Sequence, residues 1–223
     1  MLFRSAELRN DRGAAEGYLA KVDNPAQAVQ VQARRASWLV RQGRTAEALS
    51  LIRQVPERGA DDARLKLLAE GQVFREAKRW PEAYEVARTA AQRWPNDVEL
   101  LYEQAMMAEK TDRLVEMEQL LRRVMELQPD HHHAYNALGY SLAERGLRLA
   151  EARDLIRKAL EFSPGDPFIT DSLGWVEFRV GRLPEALRLL RQAYAARPDT
   201  EIAAHLGEVL WASGDRKSTR LNS

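Results

Sequence analysis

Ala134-Tyr135-Asn136-Ala137-Leu138-Gly139-Tyr140 runs on through Leu142, Ala152 and Ala159 to Pro164. The pattern returns as Leu173-Gly174-Trp175, then Gly181, Ala186, Ala193 and Pro198. Working outward from these copies, Pro95, Pro129, Pro164 and Pro198 are separated by 34, 35 and 34 residues. Ala83, Met117, Ala152 and Ala186 keep that step, as do Ala90, Val124, Ala159 and Ala193. Three series in one register mark an internal repeat, which sets the fold before any local propensity does.

Each position has a physical reason. Glycine inside a helix costs about 1 kcal/mol relative to alanine. Gly71, Gly139 and Gly174 are therefore expected where a second helix comes close, and Ala83, Ala152 and Ala186 face them. The four prolines end the second helix of each pair. Gly43, Gly146, Gly181 and Gly214 fall in the turns, where a left-handed backbone is expected. Start and stop signals predict pairs 26–42 with 45–55, 60–78 with 81–93, and 97–110 with 114–127. Pairs 131–145 with 149–162 and 166–180 with 184–196 follow, with single helices at 12–22 and 199–213. Between Gly146 and Ala152 there is one residue more than between Gly181 and Ala186, which predicts a longer turn. No sustained alternation of period two argues for strands.

In period and in these positions the chain resembles the tetratricopeptide repeat (TPR) family. The resemblance covers almost the whole chain, is most specific over 98–198 and is looser before Arg64. It implies an all-α fold, a right-handed superhelical solenoid of about five to six helix-turn-helix repeats with a concave groove. The expected organisation is one solenoid over 1–216 and a non-native tail over 217–223. The tail, within Asp215-Arg216-Lys217-Ser218-Thr219-Arg220-Leu221-Asn222-Ser223, resembles a translated sequencing adapter. Gly13 to Val22 reads as a second helix whose partner, around Phe3 to Asn10, is short, which suggests a signal or anchor lost upstream.

Composition narrows the function. The 223 residues are 45% hydrophobic, enough for a core, and 34 Lys plus Arg balance 33 Asp plus Glu. A net charge of +1 argues against nucleic-acid binding by phosphate neutralisation. With no cysteine there are no disulfides, thiolate nucleophiles or zinc-thiolate sites. No apolar run approaches the roughly 20 residues of a membrane span.

Chemistry-bearing motifs are lacking too. His131-His132-His133 are consecutive, so on a helix they point in different directions. Two helical ligands need i and i+4, and the run reads as a solvated inter-repeat turn. There is no phosphate-binding glycine loop and no nucleophile elbow. Ser141 and Ser172 have no histidine at helical spacing. The expectation is a non-enzyme without cofactor, metal or small-molecule substrate. Arg122, Arg123, Arg157, Lys158, Arg188 and Arg191 lie on second helices among acids, so no nucleic-acid stripe forms.

The resemblance implies that the first helix of each pair lines the groove. Carried over by position, the partner-binding set is Leu68, Gln72, Tyr102, Met106, His133, Asn136, Tyr140, Phe168, Asp171 and Trp175. His205 and Glu208 extend it forward. Within each helix these residues are three or four apart and share a face. Tyr140 and Trp175 follow Gly139 and Gly174, so a rotation of about 100° turns them from the partner helix toward the groove. Phe168 and Tyr135 fit core and groove equally. Asn136 alone suggests carboxylate capture, and Asp171 opposes it. On this reading Trp175→Ala weakens binding and spares stability.

The expected function is a scaffold or adaptor that binds a partner protein or an extended peptide. The run from Asp171 to Leu183 resembles bacterial members, some of them envelope lipoproteins that recruit a processing protease. That implies a periplasmic or envelope setting if an N-terminal signal is missing, and a cytoplasmic one otherwise. Two alternatives stand beside it. One is self-assembly through the last repeat, with Leu206, Leu210 and Trp211 on an exposed face. The other is a regulatory fragment of a larger enzyme.

Overall fold

The structure, a computed structural model, describes residues 12–22, 24 and 27–214. The expected helix near Phe3–Asn10 and the tail over 217–223 lie outside them. Among the described residues there are twelve helices and no strand. They are α1 (Arg12–Leu19), α2 (Ala28–Arg41), α3 (Thr45–Arg53), α4 (Ala60–Glu76), α5 (Trp80–Arg93) and α6 (Val98–Lys110). Then follow α7 (Leu114–Leu127), α8 (His132–Glu144), α9 (Leu149–Phe162), α10 (Pro167–Arg179), α11 (Leu183–Ala196) and α12 (Thr200–Ala212). None is long and apolar enough to cross a membrane.

The chain divides into two compact units, Met1–Leu114 and Val115–Ser223. In unit 1, α2 packs on α3 and α4 on α5. Each second helix also meets the next first helix, as α3 on α4 and α5 on α6, and α2 packs on α4. Unit 2 repeats the scheme with α8 on α9, α10 on α11, α9 on α10 and α11 on α12, while α8 and α12 both contact α10. First helices on first helices, with second helices behind, make an all-α helical repeat.

Local chemistry explains the punctuation. The first helices α6, α8, α10 and α12 open on a capping side chain: Asp97 accepts from Leu100 N, His131 from Ala134 N, Asp166 from Phe168 N and Ile169 N, and Asp199 from Glu201 N. The second helices α5 and α11 carry Pro81 and Pro184 in their first turn, where the missing N–H costs nothing. Each pair is joined by a turn with one left-handed residue, at Gly43, Lys78, Asp112, Gly146 or Gly181. In these turns Arg44, Arg79, Arg113, Leu147 and Arg182 donate to carbonyls five residues back, at 2.8–2.9 Å. Such a bond satisfies an orphan carbonyl at the helix end. The extra residue after Gly146 is absorbed at Arg148, a second left-handed position with φ 44°.

Ala83, Met117, Ala152 and Ala186 are all fully buried, and Ala90, Val124, Ala159 and Ala193 nearly so. A Cβ on Gly139 would sit 2.6 Å from Ile156 Cγ1 and 2.8 Å from the Ala152 carbonyl oxygen. On Gly174 it would sit 2.7 Å from Leu190 Cγ. These two glycines therefore permit the close approach that the register predicts. Gly71 does not share it: the nearest atom is Val86 Cγ1 at 3.8 Å, an ordinary contact. The last helix also differs from expectation. Leu206 and Leu210 are buried because they turn inward with Ile202 and Val209, and Trp211 is left exposed at 61%.

Candidate functional site

The repeat register sorts the first-helix residues into two columns. One holds Leu68, Tyr102, Asn136 and Asp171; the other holds Gln72, Met106, Tyr140 and Trp175. A helical residue and the one four positions later lie on the same face. The columns are alike in backbone position and differ in their surroundings.

In unit 1 the face is open. Leu68, Tyr102 and Met106 are half-buried, and Gln72 is exposed and donates to Glu76 Oε1 at 2.8 Å. A surface depression between α2, α4 and α6 is lined by Val29, Leu65, Leu68, Gln72, Arg75 and Glu103, among others. Its floor is aliphatic and its rim carries the Arg75–Glu103 ion pair. Burial pulls the Arg75 guanidinium below its ordinary pKa and pushes the Tyr102 phenol up.

In unit 2 the face is filled by its own side chains. Asp171 and Trp175 are buried, each 5% exposed. His205 of α12 lies between them and Tyr140. Its Nδ1 is 2.8 Å from Asp171 Oδ2, and its Nε2 is 3.2 Å from the Tyr140 hydroxyl. The Trp175 ring stacks on the imidazole, with centroids 4.6 Å apart at 23°. Burial acts against a charged imidazole, but the hydrogen bond and charge of Asp171, with Glu201 and Glu144, outweigh it and raise the His205 pKa. Asp171 Oδ1, Trp175 Nε1 and Asn136 Oδ1 are shielded from solvent and have no hydrogen-bond partner.

Three expectations are corrected or refined here. Trp175 does not present its ring to an open groove. The 100° rotation past Gly174 does carry it off the α11 side, but α12 covers the face it turns to. Asp171 is enclosed with it. His133 and Phe168 are exposed, with Arg197 over the Phe168 ring at 4.8 Å. Asn136 and Tyr140 are half-buried. Of the ten residues, Tyr140, Asp171 and Trp175 are gathered around one histidine.

That histidine was only a marginal extension in the sequence. The last repeat is 33 residues long, from Asp166 to Asp199 and from Gly174 to Gly207. His205 thus matches Ser172 and stands one residue past the Asp171 column. Nor did the sequence expose the carboxylate of Glu177, which is 1% exposed and accepts from Arg153 Nε at 2.5 Å. Arg157 and Arg182 stand 3.7 Å from it. The available signal was an acid at the register of the fully buried Leu142. A second network ties Glu118 to Arg122 and Arg148, and Arg122 to Glu151. The guanidinium of Arg148, helped by Arg122, holds the Glu118 carboxyl down at about 2.

The His-Asp-Tyr set can hold or pass a proton, yet among the described residues no nucleophilic side chain is bonded to it. Ser172 Oγ donates back to the Phe168 carbonyl at 3.0 Å. In the triple-histidine run His131 Nδ1 caps α8, accepting from Ala134 N at 3.1 Å. Among the described residues no group of three potential ligands could hold a metal ion.

The family model described as tetratricopeptide repeat matches residues 33–98, 116–167 and 172–216, well over half of the chain. A TPR repeat-containing protein of Pseudomonas aeruginosa is 39% identical over 207 residues, covering 93% of this chain. The chain spans 35% of that relative's length. The solved structure of a tetratricopeptide repeat protein from Parabacteroides merdae superposes with a TM-score of 0.69 at 14% identity, covering 86% of this chain and 76% of that one. YrrB, described as a TPR protein with an unusual peptide-binding site, gives 0.57 at 21% identity, covering 80% of this chain and 91% of that one.

Proposed function

The chain belongs to the tetratricopeptide repeat family, a fold that serves in general as a protein-interaction scaffold, and we propose that it binds an extended peptide of a partner along the first-helix face of unit 1. One observation carries this reading: an open depression with an aliphatic floor at Leu65 and Leu68 and a polar rim at Gln72, Arg75 and Glu103. Aliphatic surface supplies non-directional affinity, while rim groups that bond a peptide backbone fix its register. Half-buried Tyr102 and Met106 offer further contact area on the same columns. The peptide site named for YrrB supports the reading by analogy of fold alone. In the proposal the chain performs no chemistry of its own and acts by holding a partner.

The test is site-specific photocrosslinking in the native host. A photoreactive residue replaces Gln72 in one variant and Arg88, exposed on the second helix α5, in another. Crosslinked peptides should accumulate at position 72 and be lost when Tyr102→Ala is combined with it. Equal yields at both positions, or adducts only at 88, overturn the proposal. An envelope setting belongs to the same proposal and rests on the resemblance of the 171–183 run. Fractionation that finds the native protein only with cytoplasmic markers removes it.

A further inference from the structure

We propose that His205 is a proton-operated latch, which closes helix α12 over Tyr140, Asp171 and Trp175 when its ring is charged and releases them when the ring is neutral. The latch needs no bound partner, so it stands or falls apart from the peptide reading of unit 1.

The geometry supplies both halves. Closed, the imidazolium has two N–H donors and two acceptors waiting: Nδ1–H faces Asp171 Oδ2 and Nε2–H faces the Tyr140 oxygen. The Trp175 face covers the ring and leaves it little contact with water. Asp171 Oδ1 has no hydrogen-bond partner, so the ring's charge is the main compensation for a buried carboxylate. Burying a carboxylate without a counter-charge is costly.

The surrounding charges push the same way. Glu144 of α8 and Glu201 of α12 act on the ring with Asp171 of α10. Helix α11, which also packs on α12, carries Glu185, Arg188 and Arg191, and the first two pair with each other. Arg179 of α10 lies 6.0 Å over Trp175 and donates to the Glu144 carbonyl. When the proton leaves, three acids face a neutral ring, and Asp171 keeps one neutral hydrogen bond. Admitting water by lifting α12 relieves this. Among the described helices α12 packs chiefly on α10 and α11, through Ile202, Leu206, Val209 and Leu210, and it follows an exposed Arg197–Pro198 link, so its movement leaves the other helix pairs packed.

The sign follows from linkage. A docked ring with a raised pKa means that protonation and docking favour each other. The charged ring's contribution to closure is full below the ordinary histidine value, about 6.5, and is lost as pH rises through the docked value. For each pKa unit between docked and free rings, deprotonation favours opening about tenfold.

The test uses the full chain. Imidazole NMR follows the four histidines, while amide hydrogen exchange gives protection factors for Ile202–Leu210 between about pH 5.5 and pH 9. His205 should titrate above His131 and His133, whose pKa values burial lowers. Protection of α12 should fall with the same midpoint, with α8 to α11 unchanged. His205→Gln keeps neutral hydrogen bonding without charge, and should leave α12 weakly protected at every pH. Asp171→Asn removes the buried anion; it should flatten the pH response even if the glutamine variant folds poorly. Equal α12 protection on both sides of the ring titration overturns the latch. So does an unchanged pH response in Asp171→Asn.

Discussion

Met106 in unit 1 and Trp175 in unit 2 hold the same place in the repeat, yet one is half-buried and the other is stacked on a histidine and closed off. The helix pairs behind them follow the same scheme. Unit 1 has Leu68, Gln72, Tyr102 and Met106 on its first-helix columns, with no acid among them, and keeps an open depression. Unit 2 has an amide, an acid and aromatics there, and the partners for those groups come from its own last helix. Repeat architecture thus fixes where a side chain points; the neighbours one repeat away decide whether that place is surface or core.

Four experiments can break or sharpen this contrast, beginning with the largest effect. Glu177→Ala removes the carboxylate that Arg153 holds at 2.5 Å and should cost unit 2 about 3–5 kcal/mol, read by denaturant unfolding. At the same register unit 1 has Ala108, buried without any charge. A loss of less than about 1 kcal/mol would show that the released arginines reach water freely and that the ion cluster is not a structural element of unit 2.

Trp175→Ala should come next, at about 3–4 kcal/mol, because a buried indole stacked on His205 leaves a cavity. Met106→Ala, at a half-buried site, should cost about 1 kcal/mol or less. Equal losses would erase the distinction between the two faces.

The glycines give a change of sign. Gly139→Ala forces a Cβ against Ile156 and the Ala152 carbonyl, which is backbone and cannot give way, and should destabilise by about 1–3 kcal/mol. Gly71→Ala meets an ordinary 3.8 Å contact and should stabilise unit 1 by about 0.5–1 kcal/mol through helix propensity. A gain at both positions would mean that the pairs in unit 2 pack less closely than described.

The pH response should be smallest and most local. Glu118 sits at about 2 in the fold against an ordinary 4.5, a lowered carboxylate. Its contribution is present above 4.5 and lost as pH falls toward about 2, and Glu118→Gln should flatten that limb in thermal melts. Asp97 in unit 1 is lowered by Arg64 and loses its contribution on the same acid side. His205, being raised, adds a loss on the alkaline side of unit 2. Melts of unit 2 that are flat from neutral to alkaline pH would remove this asymmetry.

Much of the fold was legible because it is carried by short-range rules. Pro95 to Pro198, the small residues at Ala83, Ala152 and Ala186, and the turn glycines each act within a helix pair. Eleven of the twelve helices lie within two residues of their expected limits; only the first ends three early, at Leu19. The site was legible in part. Tyr140, Asp171 and Trp175 were selected by position, and they do share a face. Their burial was not readable, because it depends on His205, 34 and 65 residues away from Asp171 and Tyr140. Leu206 and Leu210 differ from expectation for the related reason that nothing local says which side of the last helix is covered.

By itself, then, the sequence determined the repeat, the helix pairs, the turns and the facing columns, since period, capping and backbone sterics act over a few residues. Only the tertiary structure decided which columns stay open, that Glu177 is an enclosed ion, and that Asp171 and His205 meet at hydrogen-bond distance. Those outcomes depend on desolvation and charge compensation between helices. Side chains from different repeats meet only after the array has packed, and no local pattern reports the free energy of that meeting.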